Sequence, residues 1–174
     1  GNYAFRGCTS IAQVNFNATE CNYMYNAFDG CTNTANVYIG DNVKVIPSNA
    51  FNHFNGLTNL TIGESVISIG SYAFDYCSSL KKVNYNAINC AATNGTIFNS
   101  RNYNYNDLTT VVIGDKVKTI PAKLFYVGSS HSRIKSITWG KSIEEIQEEA
   151  FYGSDMSSIT IPGTVKTIGD YAFA

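Results

Sequence analysis

The stretch of sequence that decides the fold is residues 57–80, LTNLTIGESVISIGSYAFDYCSSL. Apolar and polar residues alternate at 60–62, which is the period of a short strand with one buried face. Gly63 then breaks the strand, and the Val-x-x-Ile pattern of 66–69 predicts a second short extended segment. The Ala-Phe pair at 73–74 follows, and there we expect one helical turn before the cycle restarts.

The same unit recurs along the chain and is marked by an internal phenylalanine. The first four marks are 23 residues apart, and the full set is Phe5, Phe28, Phe51, Phe74, Phe98, Phe125, Phe151 and Phe173. Because a unit this short cannot bury its own apolar face, it must lie against the next unit. The sequence therefore predicts one open solenoid of about seven repeats over residues 1–174, with stacked parallel strands and an inner column of Phe rings.

Two motifs carry a resemblance to a known family: SVISIGSYAFDYCSSL at 65–80 and ITIPGTVKTIG at 159–169. Over essentially its whole length the chain resembles the BspA-like leucine-rich repeats of bacterial and some protozoan surface proteins. The resemblance implies a β-rich leucine-rich-repeat solenoid that is displayed at the cell surface or secreted, and that adheres to host or matrix molecules. It also implies repeats without catalytic residues, so we expect no enzyme and no cofactor.

Composition limits the partners further. The formal net charge is −1 and 14% of the residues are charged, so the clustered Lys and Arg that nucleic acid requires are absent from the sequence. No apolar stretch approaches the roughly 20 residues that span a bilayer. The chain starts at Gly1 and stops at Ala174 partway through a repeat, so we expect a piece of a longer cell-surface protein. We also expect the chain to be a monomer.

The default recognition surface of such a solenoid is the outward face of its first strands. We expect this face to bind a protein ligand; a glycan-binding array and a structural spacer are the alternatives. The residues that alternation turns outward are Gln13, Asn15, Asn36, Tyr38, Asn59, Thr61, Lys82, Asn84, Thr110, Val112, Ser136, Thr138, Ser158 and Thr160. The inserted tract 99–107 adds Tyr103 and Tyr105, read either as a contact loop or as a tolerated insertion.

The residues with reactive side chains fit packing better than chemistry. Cys8, Cys31 and Cys77 share one repeat position, and Cys21 and Cys90 share another, so we expect all five to be core residues. A disulfide between Cys8 and Cys31 in adjacent coils is the alternative. Trp139 replaces an inward Ile and is expected in the core rather than on a ligand platform.

The two histidines, His53 and His131, have no evident acid or thiol partner, so neither a catalytic triad nor a metal site is expected. The acidic cluster at 144–149 is read as a solvated face rather than a calcium site, because it lacks the spacing of a calcium loop.

Overall fold

The computed structural model describes residues 1–91, 93, 97–98, 108–127 and 134–174. These residues form short strands joined by turns, and no helix among them is long and apolar enough to cross a membrane. The strands are β1 (Gln13–Phe16), β2 (Asn36–Ile39), β3 (Val45–Ile46), β4 (Asn59–Ile62), β5 (Ser68–Ile69), β6 (Lys82–Tyr85), β7 (Thr110–Ile113), β8 (Thr119–Ile120), β9 (Ser136–Thr138), β10 (Glu145–Ile146) and β11 (Thr167–Ile168).

The first strands of successive coils form one parallel sheet in the order β1-β2-β4-β6-β7-β9. Equivalent repeat positions pair across it, so that Val37 lies opposite Leu60 and Leu60 lies opposite Val83. Val83 in turn lies opposite Val111, although the repeat between them is longer than the others. The β-rich solenoid of stacked parallel strands predicted from the sequence is confirmed.

The second extended segments form two smaller parallel sheets, β3-β5 and β8-β10-β11. Residues 86–91 lie between them and contain no strand, because this coil lacks the Val-x-x-Ile pattern. Its backbone still bonds to the preceding coil: the N–H of Ile88 donates to the carbonyl of Glu64 at 3.1 Å, and that of Ala91 to Ile67 at 3.0 Å. The stack therefore continues where the second sheet is interrupted.

The interior is filled by the inward residues of both strands and by the column of phenylalanines. Neighbouring rings lie nearly parallel, with centroids 5.0 to 5.7 Å apart and planes within 15° of each other. Phe51 and Phe74, in the middle, are almost completely buried. The predicted column is confirmed, and it runs through Phe5, Phe28, Phe51, Phe74, Phe98, Phe125, Phe151 and Phe173.

The helical turn expected at the Ala-Phe segment is absent from the described residues, and this part of the prediction is wrong. The residue before each Ala-Phe or Leu-Phe pair has a φ between 45° and 60°, outside the right-handed helical region. The N–H of Phe51 donates to the carbonyl of Ala73 in the next coil at 2.8 Å, so it cannot close a helical bond. These left-handed residues are Tyr3, Asn26, Asn49, Tyr72, Lys123, Glu149 and Tyr171.

Gly63 shows why a glycine follows β4. A Cβ at this position would lie 2.6 Å from the carbonyl oxygen of Gly40 in the preceding coil. Backbones of adjacent coils approach each other closely there, and only a residue without a side chain fits.

The six-stranded sheet ends at β9. Residues 158–161, where the repeat pattern predicts a further first strand, contain no strand. The carbonyl of Thr160 instead accepts a hydrogen bond of 2.9 Å from the indole nitrogen of Trp139.

Candidate binding surface

The outward face of the six-stranded sheet presents two side chains from each strand, all of them polar except Val112. Alternation places them there because the intervening residues, such as Leu60 and Val83, are fully buried. The face consists of Gln13, Asn15, Asn36, Tyr38, Asn59, Thr61, Lys82, Asn84, Thr110, Val112, Ser136 and Thr138, all exposed or half-buried. Lys82 is the one charged residue in this set.

Several of these side chains bind to each other across the strands. The amide of Asn59 donates to the side-chain oxygen of Asn36 at 3.1 Å, and the amide of Asn84 donates to the hydroxyl of Thr61 at 3.1 Å. Part of the hydrogen-bonding capacity of the face is therefore used within the sheet. What remains is a partly pre-ordered set of donors and acceptors, which suits recognition of hydrogen-bonding groups.

Tyr38 is the aromatic residue of the face and has 42% of its surface exposed. In the sheet it lies between Asn15 of β1 and Thr61 of β4. A ring with few rotatable bonds and a hydroxyl at its tip gives a large contact area at a small entropic cost. Tyr38 is thus the best-placed anchor on the face.

Some residues named from the sequence are not found on this face, and Ser158 lies, like Thr160, in a segment without a strand. Thr160 is exposed but lies beyond the last strand of the sheet, so its predicted place on a strand is wrong. Tyr103 and Tyr105 lie outside the described residues, and their role stays a prediction.

Beside the three-stranded sheet β8-β10-β11 lies a row of three charged side chains, Lys118, Glu144 and Lys166, which we call the charge ladder. Glu144 lies between two lysines of the neighbouring coils, 3.6 Å from Lys118 and 2.5 Å from Lys166. Hydrogen bonding to Lys166 and the charges of both lysines lower the pKa of the Glu144 carboxyl. The repeat register that places these three residues side by side is confirmed by the pairing of β10 with β8 and β11.

The cysteines do not share one environment, so the expectation of five core thiols is wrong in part. Cys31 and Cys77 are buried, and their thiols donate to the carbonyls of Phe5 and Phe51 at 3.1 Å. Cys21 and Cys90 are half-buried, while Cys8 is exposed. Cys8 and Cys31 are both free thiols, so the alternative disulfide is not formed. Burial raises the pKa of Cys31 and of Cys77.

Trp139 packs against the core as the repeat grid predicts. Its ring meets Phe151 edge-on at a centroid distance of 5.8 Å, and the residue is half-buried. Since its indole N–H is bound to the carbonyl of Thr160, the side chain is fixed between two coils. It therefore contributes packing rather than a stacking platform.

Several other charged groups among the described residues form ion pairs. Lys141 bonds to Asp115 at 2.5 Å, Lys116 to Glu64 at 2.8 Å and Lys123 to Glu149 at 3.2 Å. No group of three or more His, Cys, Asp or Glu in the described part of the chain is placed to hold a metal ion.

Sequence reasoning missed two features of the turns. Asp75 is almost completely buried, and burial raises the pKa of its carboxyl to about 6 although the N–H of Tyr76 donates to it at 3.0 Å. His53, which has no evident acid or thiol partner in the sequence, stacks its ring on that of Tyr76. Comparing the residue two positions after each column Phe would have shown that His53 and Tyr76 are the two aromatic residues there, where three other coils carry Gly7, Gly30 and Gly153.

This fold and this face define a leucine-rich-repeat solenoid. The model of the family described as BspA type Leucine rich repeat region (6 copies) matches residues 1–103 and 95–174. The chain belongs to this family.

Solved structures agree with the fold. One is a leucine rich cell surface protein from Faecalibacterium prausnitzii A2-165, with 25% sequence identity and a TM-score of 0.50. The match covers 94% of this chain and 40% of the F. prausnitzii chain. Another is a leucine rich repeat protein of T. pallidum, with 23% sequence identity and a TM-score of 0.55. The match covers 87% of this chain and 67% of the T. pallidum chain. This chain thus spans 40% of the length of the first. Among curated proteins, none matches this sequence.

Proposed function

We infer that this chain is a non-catalytic binding module that recognises a protein ligand, from the host or its matrix, at the cell surface or after secretion. The observation that carries the proposal is the outward face of the six-stranded sheet, which is continuous, polar and nearly uncharged. A face of this kind can meet a flat protein surface with hydrogen bonds and one aromatic anchor, Tyr38.

Two further points belong to the proposal. The chain acts as a monomer, and it is one continuous array of about seven repeats within a longer cell-surface protein. The family supports the surface location, as does the name of the F. prausnitzii protein, which is called a cell surface protein.

The test is a binding screen of the wild-type chain against immobilised extracellular-matrix proteins and a glycan array, repeated with two variants. Thr61→Arg places a long charged side chain in the neutral face, and Ser68→Arg places the same side chain outward on the exposed part of β5 as a matched control. We expect binding to at least one matrix protein, about tenfold weaker in Thr61→Arg, which is a loss of about 1.4 kcal/mol, and unchanged in Ser68→Arg.

Three outcomes would contradict the proposal. Equal losses in both variants would place the contact away from the face. Binding to glycans alone would favour the glycan-binding array, and no binding of any kind would favour the structural spacer.

A further inference from the structure

Three lysines that take part in no ion pair of the described residues lie at the edge where the first strands begin. Lys82 is the first residue of β6, Lys81 directly precedes it, and Lys135 directly precedes β9. Lys81 and Lys135 are exposed and Lys82 is half-buried. Apart from Lys44, every other lysine and arginine in the described part of the chain contacts a carboxylate.

The pairing of the strands brings these three lysines to one place on the surface. Lys82 lies opposite Thr110 of β7. In the row directly before the strands, the N–H of Thr109 donates to the carbonyl of Lys81 at 3.0 Å, and the N–H of Lys135 donates to that of Thr109 at 3.0 Å. Because neighbouring strands are about 4.8 Å apart, the backbones of Lys81 and Lys135 are about 10 Å apart, with Thr109 between them.

The side chains between the lysines are short and carry hydroxyls. Thr109 and Thr110 are half-buried, and their Oγ1 atoms lie 3.5 Å apart. Because a lysine side chain is several atoms longer than that of threonine, the lysines flank a lower strip of hydroxyl groups. We call Lys81, Lys82, Thr109, Thr110 and Lys135 the lysine site.

The charge ladder shows which group two lysines in this arrangement can hold. Lys118 and Lys166 lie in the coils on either side of Glu144, and the Glu144 carboxylate contacts both ammonium groups, at 3.6 Å and 2.5 Å. The two outer lysines of the lysine site are related in the same way, but Thr109 occupies the position between them. The lysine site therefore has the two cations of the ladder without its carboxylate.

The carboxylates of a peptide fit the lysine site better than a polyanion does. A carboxylate forms charge-assisted hydrogen bonds with lysine, and the hydroxyls of Thr109 and Thr110 can donate to it as well. Three lysines are fewer than the roughly six to ten phosphate contacts that a protein makes with nucleic acid. Lys82 also belongs to the neutral sheet face, whose amides and hydroxyls can bond to the backbone of a peptide.

We propose that the lysine site binds an acidic segment of a protein ligand, with one Asp or Glu carboxylate held over Thr109 between Lys81 and Lys135. The proposal rests on the protein-binding function of the adjoining face. To that function it adds the charge of the ligand and the edge of the sheet at which the acidic segment lies.

The first test is an NMR titration of the 15N-labelled chain with the peptide acetyl-Gly-Glu-Gly-Glu-Gly-amide and its Gln counterpart. We expect the amide resonances of Thr109 and Thr110 to shift with the Glu peptide only, and less at high salt. Affinity should fall about two- to fivefold in Lys81→Gln and in Lys135→Gln, as for the loss of one exposed ion pair. Lys44→Gln is the matched control, because Lys44 is exposed, forms no ion pair with the described residues and precedes β3 in another sheet.

The second test needs no ligand. Thr109→Glu supplies the carboxylate that the charge ladder has in Glu144, and Thr109→Gln is the matched control without the charge. We expect Thr109→Glu to have the higher denaturant midpoint at low salt, with a smaller difference at high salt. Thr109→Glu should also lose the peptide-induced shifts, because its own carboxylate occupies the lysines.

Several results overturn the proposal. They are no shift with the Glu peptide, equal affinity in the wild type and both lysine variants, or a midpoint of Thr109→Glu no higher than that of Thr109→Gln at low salt. Shifts caused by a heparin tetrasaccharide but not by the peptide also overturn it, in favour of a sulfated glycan.

Two further results separate this proposal from the proposed function. Matrix-protein binding that weakens in Thr61→Arg but is unchanged in Lys81→Gln contradicts the lysine site and leaves the protein-binding face in place. Peptide binding at the lysine site without binding to any matrix protein supports the site and contradicts the function of the face.

Discussion

Many side chains in this molecule make their hydrogen bonds and packing contacts with the coils before and after their own rather than with neighbours in sequence. The thiol of Cys77 donates to Phe51 one coil earlier, and the amide of Asn59 donates to Asn36. A substitution therefore acts through the contacts between coils, as expected of a stacked array. Residues at one repeat position differ in environment according to whether a preceding coil covers them.

Thiol reactivity follows from this dependence. Cys8 is exposed, whereas Cys31 and Cys77 are buried with raised pKa values, so few of their thiolates form. A thiol reagent should label Cys8 rapidly in the folded protein and the remaining four only slowly, with all five reacting after unfolding. Mass spectrometry of the labelled peptides measures this. The variant Cys8→Ser should lose the fast phase; rapid labelling of Cys77 in the folded state would contradict its burial.

The sequence was sufficient to predict which strand residues point inward, because alternation and the repeat period agree. It could not predict the left-handed tyrosines such as Tyr72, since the usual signal for that conformation is Gly or Asn. For the same reason the stacked pair of His53 and Tyr76 went unnoticed. Cys8 is exposed although Cys31 and Cys77 at the same repeat position are buried, and this difference is not visible in the residue type.

At the scale of elements, the second strands are very short, and they pair because the repeat brings equivalent residues side by side. β8, β10 and β11 have two residues each, and pairing places Ile120, Ile146 and Ile168 in one row. The Val-x-x-Ile pattern predicted β8 and β11, and its variant Ile-x-x-Ile at 143–146 corresponds to β10. The alternation at 158–161 predicted a further strand of the first sheet, and the structure has none there.

The charge ladder tests this register. Replacing Glu144 by Lys puts three lysines side by side, and like charges on neighbouring strands repel each other. We expect the denaturant midpoint to fall in the order wild type, Glu144→Gln, Glu144→Lys, with the gap between the variants smaller at high salt. Since the pKa of Glu144 is lowered in the fold, its contribution is present above the ordinary pKa and is lost as the pH falls.

Chemical denaturation at two ionic strengths measures the effect. A Glu144→Lys variant as stable as Glu144→Gln at low salt would mean that the three residues are not neighbours in solution.

At the scale of the whole molecule, stability is the sum of the coils and their contacts, and the Phe column runs through all of them. Phe74 is 1% exposed and lies between Phe51 at 5.2 Å and Phe98 at 5.7 Å. Phe173 is half-buried and stacks on Phe151 at 5.5 Å. The two positions are therefore chemically identical but differently enclosed.

Replacing each of these two Phe residues by Ala should change the free energy of unfolding by different amounts. Phe74→Ala is expected to destabilise the fold by about 3 to 5 kcal/mol, because it leaves a cavity among fully buried rings. Phe173→Ala should have a much smaller effect. Thermal and denaturant unfolding of both variants provides the comparison, and equal losses would argue against a common buried column.

The most direct test of the central claim, that the sheet face is the recognition surface, is hydroxyl-radical footprinting of the chain with and without the matrix protein it binds most tightly. Tyr38 on the face and Tyr171 on a turn are 42% and 67% exposed, so both are modified readily in the free chain. The account predicts that Tyr38 is protected in the complex while Tyr171 is modified at an unchanged rate. Protection of Tyr171 with no change at Tyr38 would contradict it.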